Sequence, residues 1–120
     1  MDVKKKLSDL PIIDNRLNQL FTKDSHKIIK ELLHLFLKET PQLRAEINLA
    51  FQNKQQKKLE SALHKLLGSC AYCGLIRLKY SLLVLEKAIK KGDYSNVLLE
   101  QFNRELQETL DKADEVVHSK

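Results

Sequence analysis

The chain has 120 residues, of which 42% are hydrophobic and 31% charged, and this predicts a single domain over residues 1–120 with one core. It contains three Gly, two Pro and few β-branched residues, which favours an all-α fold over a sheet. Residues 1–6 lack the apolar stretch of a secretion signal, and the chain has no apolar run of about eighteen residues, so we expect a soluble, cytoplasmic domain without membrane contact.

The formal net charge of +5 raises the question of a nucleic-acid partner. The lysines are scattered along the chain, as they are on solvated helix faces, so we expect no nucleic-acid binding. A basic surface also attracts an acidic protein partner and speeds its encounter.

The N-terminal third predicts a short helix after Pro11 and then a longer helical segment. Asp14 to Phe21 would form the short helix, and Asp24 or Ser25 would provide the N-cap of the next element. Apolar residues then recur at helical spacing on both sides of Pro41. The sequence therefore predicts a kink or a restart at Pro41, with Thr40 as the cap.

The next helix carries a stripe spaced alternately by four and three residues. His64 lies off that stripe, about 140° from its centre at 100° per residue, and should be exposed to solvent. Lys57, Ser61 and Gly68 share its face. The stripe consists of Leu59, Leu63, Leu66, Cys70 and Cys73.

Two further amphipathic helices complete the pattern. The first follows Gly74 and ends at Lys90-Lys91-Gly92, and the second begins near Tyr94 and reaches Val117. Short connections between long helices favour antiparallel packing. We expect an antiparallel up-and-down four-helix bundle with a short additional N-terminal helix.

His64 is the candidate reactive residue, because a free imidazole nitrogen on a helix surface can accept a phosphoryl group. Gly68 costs about 1 kcal/mol relative to alanine inside a helix, and its missing side chain would admit a partner's loop beside the ring. Lys57 or Lys65 could place an ammonium near the phosphoryl oxygens. Ser61 or Ser69 could add a hydrogen bond.

Four parts of the sequence together resemble histidine phosphotransfer (HPt) domains. They are the sequence H-K-L-L-G-S from His64, the C-G pair at the helix end, the upstream F-L-K-E-T-P segment and Leu85-Glu86. The resemblance is greatest to the C-terminal HPt domains of BarA/GacS-type hybrid sensor kinases. It implies that His64 takes a phosphoryl group from the receiver domain of a hybrid sensor kinase and passes it to the receiver aspartate of a response regulator. It also implies a carrier without kinase activity and without a bound cofactor, with Mg²⁺ on the partner receiver. We expect a monomer.

One position departs from the family. Many members carry lysine three residues after the histidine, where this chain has Leu67, so that Lys65 is the nearest cation. Glu86 matches the position at which the family can place a Glu or Gln near the histidine. The resemblance implies that its side chain orients the ring through the non-reacting nitrogen.

Two other classes of function fit parts of the sequence. Cys70 and Cys73 could form half of a zinc site or a redox pair, but both lie on the predicted core stripe, so we expect them to be core residues. The competing class of function is an adaptor that binds receivers or partner helices without accepting phosphate. Loss of His64 distinguishes the two, because an adaptor should tolerate it.

Overall fold

Four α-helices account for nearly all of the described chain. The computed structural model describes residues 11–12 and 23–119, without the side chains of residues 23–26. The helices are α1 (Lys23–Gln52), α2 (Gln56–Cys73), α3 (Ile76–Lys90) and α4 (Asn96–Val117), and this part of the chain contains no strand. The predicted all-α fold is confirmed. The predicted helix between Asp14 and Phe21 lies outside the described residues.

The helices pack in a closed ring. α1 contacts α2, α2 contacts α3, α3 contacts α4, and α4 returns to α1. Residues 53–55, 74–75 and 91–95 connect them, and connections this short place successive helices antiparallel. The predicted antiparallel four-helix bundle is therefore confirmed for residues 23–119, none of whose helices is long and apolar enough to cross a membrane.

The core runs along the inside of this ring. Each helix contributes its apolar stripe, and full burial of a leucine side chain stabilises the fold by roughly 1.5–3 kcal/mol. The stripe predicted for α2 is buried along its whole length. The most deeply buried large side chains are Leu33, Ile47, Leu59, Leu63, Leu66, Leu75, Leu78, Leu82, Leu85, Ile89, Phe102 and Leu106.

Two glycines end helices. Gly74 has φ 66° and ψ 35°, a left-handed conformation that glycine adopts without a steric penalty, and its N–H donates to the carbonyl of Cys70. Leu75 donates to the same carbonyl at 2.9 Å. Gly92, with φ 79°, follows α3 at the predicted stop. These turns return the chain along the bundle.

The predicted restart at Pro41 is wrong, because α1 continues through it. Thr40 is buried, and its hydroxyl donates to the carbonyl of Phe36, so Thr40 is an interior residue and not a cap. The core contacts of Phe36 before the proline and Ile47 after it hold the helix together where the proline lacks an N–H. Asp24 and Ser25 also lie within α1, so neither precedes it as an N-cap.

Polar side chains join α4 to its two neighbours. Arg44 on α1 donates to the side chain of Asn103 at 3.1 Å and to Gln107 at 2.8 Å. Arg77 on α3 pairs with the nearly buried Glu105 at 2.7 Å. Contacts of this kind depend on position, so they fix how the helices lie against each other along the bundle.

Candidate functional site

His64 lies in the middle of α2 with its side chain exposed to solvent. The residue before it, Leu63, is 1% exposed and Leu66 is fully buried, and these two anchors turn the face that carries His64 outward. The imidazole forms no hydrogen bond or ion pair with any residue that the structure describes. Both ring nitrogens are therefore open to a partner, on a helix whose other side is held by the core.

Gly68 lies one turn after His64 and is also exposed. Apart from residues 67 and 69 and the backbone of α2 itself, a Cβ at this position would meet no atom within 4 Å. The packing of the bundle therefore does not require glycine here. The open volume beside the imidazole is the feature that Gly68 provides.

Three of the predicted site residues line an open cleft of about 530 Å³ between α1 and α2. Lys57, Ser61 and Lys65 come from α2, and Leu49 on α1 lines the cleft opposite them. His64 lies outside the cleft, next to its α2 wall. The structure thus brings these three residues together on one side of the histidine.

Ser69 is directed away from His64. At 100° per residue it lies about 140° around α2 from the histidine. It is half-buried, and its hydroxyl donates to the carbonyl of Lys65 at 3.5 Å. Together with Lys65 it lines a second groove against Glu46 and Gln42 of α1.

Leu67 and Glu86 have other partners than His64. Leu67, at the position where the family often has lysine, is half-buried against the core. Glu86 on α3 accepts a hydrogen bond from Lys90 at 3.1 Å. Among the described residues no hydrogen bond or ion pair joins Glu86 to His64, so the carboxylate is held by its own helix.

Both cysteines are core residues, as predicted. Cys70 and Cys73 are free and buried. Burial, with a smaller effect of the neighbouring Cys73, raises the pKa of the Cys70 thiol to about 12, and burial raises the pKa of Cys73 to about 11. Both are therefore neutral thiols near neutral pH, and no group of three metal-binding side chains occurs in the described ranges.

The cleft also contains residues that the sequence did not single out. Leu49 is 61% exposed, and Lys58 lies beside Lys57. The sequence signal that could have identified Leu49 was weak, because it consists only of an apolar residue that lies off the core stripe of α1. Its position opposite α2 depends on how the two helices pack.

The chain matches the Hpt domain family over residues 31–116, a range that includes all of α2 and α3 and most of α1 and α4. It is similar to the signal transduction histidine-protein kinase BarA of Shigella flexneri, of Escherichia coli strain K12 and of Escherichia coli O157:H7. Each is 28% identical over 89 residues, which cover 74% of this chain but only 9% of the relative. No solved structure gives a significant match. The family match spans well over half of the sequence, and the chain therefore belongs to the Hpt domain family of two-component phosphorelay signalling.

Proposed function

We propose that this chain is a phosphorelay intermediate in which His64 receives a phosphoryl group from one receiver domain and gives it to another. The donor would be the aspartyl phosphate of a hybrid sensor kinase, and the acceptor the receiver aspartate of a response regulator. The observation that supports this best is the exposed, unpaired imidazole of His64 beside the open volume at Gly68. A partner's phosphoryl group can approach it along that side.

The first transfer needs one nucleophilic nitrogen. The lone pair of an unprotonated ring nitrogen attacks phosphorus, a P–N bond forms, and the P–O bond to the donor aspartate breaks. The carboxylate leaves with the electron pair. The proton on the other ring nitrogen passes to water, since no described side chain accepts it. The second transfer reverses these steps with the acceptor aspartate as nucleophile.

The protein's remaining contribution is position and charge. Lys57 and Lys65 lie on the α1 side of His64 and would supply positive charge near the phosphoryl oxygens, and Ser61 would add a hydroxyl. Glu86 would orient the ring only by leaving Lys90. Mg²⁺ would be held by the receiver, where it neutralises the phosphoryl group. The chain would thus carry phosphate without kinase activity of its own, in the cytoplasm and as a monomer.

Labelled phosphate transfer tests this proposal. Receiver domains from the same genome, phosphorylated with labelled acetyl phosphate, are mixed with the wild type, His64→Gln and His34→Gln. His34 is a matched control because it is also an exposed histidine, on α1. We expect acid-labile, base-stable label on the wild type and on His34→Gln, and none on His64→Gln.

Two results would contradict the proposal. Label that persists on His64→Gln would place the acceptor elsewhere. Binding of receivers without label on the wild type would leave the adaptor function, in which the bundle docks receivers and transfers nothing.

A further inference from the structure

One end of the bundle is strongly basic. α1 ends and α2 begins at this end, and α3 ends and α4 begins beside them. The rings of Phe51 and Tyr94, with centroids 5.3 Å apart, hold the two connections side by side. Residues 52–58 and 87–97 form what we call the basic end. It contains six lysines, all exposed, which are Lys54, Lys57, Lys58, Lys87, Lys90 and Lys91. They are scattered along the sequence, and the fold brings them together.

Little negative charge offsets these lysines. Lys90 pairs with Glu86 at 3.1 Å, but the other five form no ion pair with any residue that the structure describes. Asp93 is the acidic residue of the basic end, and its carboxylate accepts a hydrogen bond from the N–H of Ser95 in the same loop. The first turns of α2 and α4 hold no acidic residue. The basic end therefore presents an excess of positive charge to solvent.

Lys54 has a backbone conformation that does not favour lysine. Its φ is 52°, in the left-handed region, and among the described residues it is the one other than glycine with a positive φ. Glycine or asparagine would adopt this conformation at lower cost. The turn between α1 and α2 therefore gives no reason for lysine at this position, whereas its charge adds to the basic end.

The composition of the basic end favours an anionic lipid surface over a protein or a nucleic acid. Protein interfaces are enriched in arginine and aromatic residues and depleted in lysine. Base recognition also relies on arginine, and sites for single strands need exposed aromatic rings. The basic end has no arginine, and the ring of Tyr94 packs against Phe51. Clustered lysines attract acidic headgroups without such contacts.

We propose that the basic end binds the surface of a membrane that contains acidic phospholipids. Packed helices lie roughly 8–10 Å apart, so lysines on α2 and on α3 can reach headgroups at the same time. Val97, which is 62% exposed in the first turn of α4, adds an apolar side chain for the headgroup region. The expectation of a domain without membrane contact rested on the lack of a long apolar run, which gives no information about a basic surface.

Membrane binding at the basic end would leave His64 accessible. His64 follows Lys57 by seven residues, which is about 10 Å along α2, and its side chain is exposed on the side of the bundle. With the basic end on the membrane, the helices stand upright and the imidazole faces water. The membrane proposal is therefore independent of phosphotransfer, and either can be wrong without the other.

Co-sedimentation with vesicles tests this proposal. The full chain is mixed with vesicles of phosphatidylcholine alone, or of phosphatidylcholine and phosphatidylglycerol in equal parts. We expect binding to the vesicles with phosphatidylglycerol, and its loss when salt is raised from about 0.1 M to about 0.5 M, because salt screens the charges. Each lysine near an anionic surface contributes roughly fivefold to binding. The triple variant Lys54→Gly, Lys87→Gln and Lys91→Gln should therefore bind roughly a hundredfold more weakly.

The matched control removes the same charge from the opposite end of the bundle, with Lys27→Gln, Lys79→Gln and Lys112→Gln. These residues are exposed, near the start of α1, the start of α3 and the end of α4. The control should bind within about twofold of the wild type, since its altered charges lie beyond the screening distance from the membrane. Circular dichroism checks that both triple variants are folded.

Three results would overturn the membrane proposal. One is a wild type that sediments with neither kind of vesicle, or equally with both. Another is equal binding of the triple variant and its control. The third is tighter binding of a DNA duplex than of phosphatidylglycerol vesicles at the same salt concentration, which would assign the basic end to nucleic acid.

Discussion

His64 and Gly68 lie one turn apart on α2 and are both exposed to solvent. His64 has no partner among the described side chains, and a methyl group at Gly68 would meet nothing within 4 Å beyond its chain neighbours and the backbone of α2. A glycine in a helix costs up to about 1 kcal/mol relative to alanine. The fold gains nothing from that cost, which supports the proposed approach of a phosphoryl group on this side of the ring.

We expect Gly68→Ala to raise the free energy of unfolding by roughly 0.5–1 kcal/mol, since the methyl group has room and alanine favours the helix. Gly68→Gln should also fold, but its side chain would reach across the volume beside the imidazole and slow phosphoryl transfer by roughly tenfold or more. Urea denaturation and labelled transfer, measured on both variants, separate the two effects. Normal transfer in a folded Gly68→Gln protein would contradict the steric role.

Some features of the site could be predicted from the sequence and others could not. The exposure of His64 was predictable because the stripe from Leu59 to Cys73 fixes the rotation of α2. The position of Leu49 opposite α2 was not predictable, because it depends on how α1 is rotated relative to α2. The apolar periodicity of a single helix gives no information about that rotation. The same holds for Lys65, whose groove includes Glu46 of α1.

In α1, tertiary contacts override a local helix-breaking signal. Proline normally breaks a helix, yet Pro41 lies inside α1. Its missing N–H leaves the carbonyl of Leu37 without its intrahelical partner, while Phe36 and Ile47 keep both halves of the helix on the core. The sequence predicted the helical periodicity correctly and the restart at Pro41 incorrectly, because burial of the two halves outweighs one lost hydrogen bond.

Pro41→Ala should stabilise the protein. The substitution restores the hydrogen bond to Leu37 and removes the ring from an interior turn, a gain that the larger entropy of the unfolded chain reduces to roughly 1–2 kcal/mol. Gln42→Ala is the control, because Gln42 is the next residue and also exposed, and it should change stability by less than about 0.5 kcal/mol. If urea denaturation showed Pro41→Ala to be no more stable than the wild type, the proline would not destabilise α1.

The four-helix bundle provides a rigid support for a surface site. Each helix packs on two neighbours, and the chain turns at Gly74 and Gly92. Within residues 23–119, the order and antiparallel packing of the helices were predictable from apolar spacing and short connections. The ties between helices, such as Arg77 with Glu105, were not, because the two residues are far apart in the sequence and meet only when α3 and α4 are packed. These contacts fix α3 against α4, so that α2, which carries His64, packs on a rigid bundle.

The stability of the whole bundle should fall at alkaline pH through its buried thiols. The folded protein raises the pKa of Cys70 from 9.0 to about 12, so above pH 9 the thiol ionises in the unfolded chain before it does in the fold. The unfolded state then binds fewer protons, and stability is lost by roughly 1.4 kcal/mol per pH unit for this thiol as pH rises toward its folded pKa.

Cys70→Ala lacks this loss, while the lysines and tyrosines contribute equally to both proteins. Urea denaturation between about pH 8 and pH 10.5 should therefore show the stabilities of wild type and Cys70→Ala converging as pH rises. Parallel curves would mean that Cys70 meets solvent in the folded protein, and that the core at the end of α2 is more open than its packing indicates.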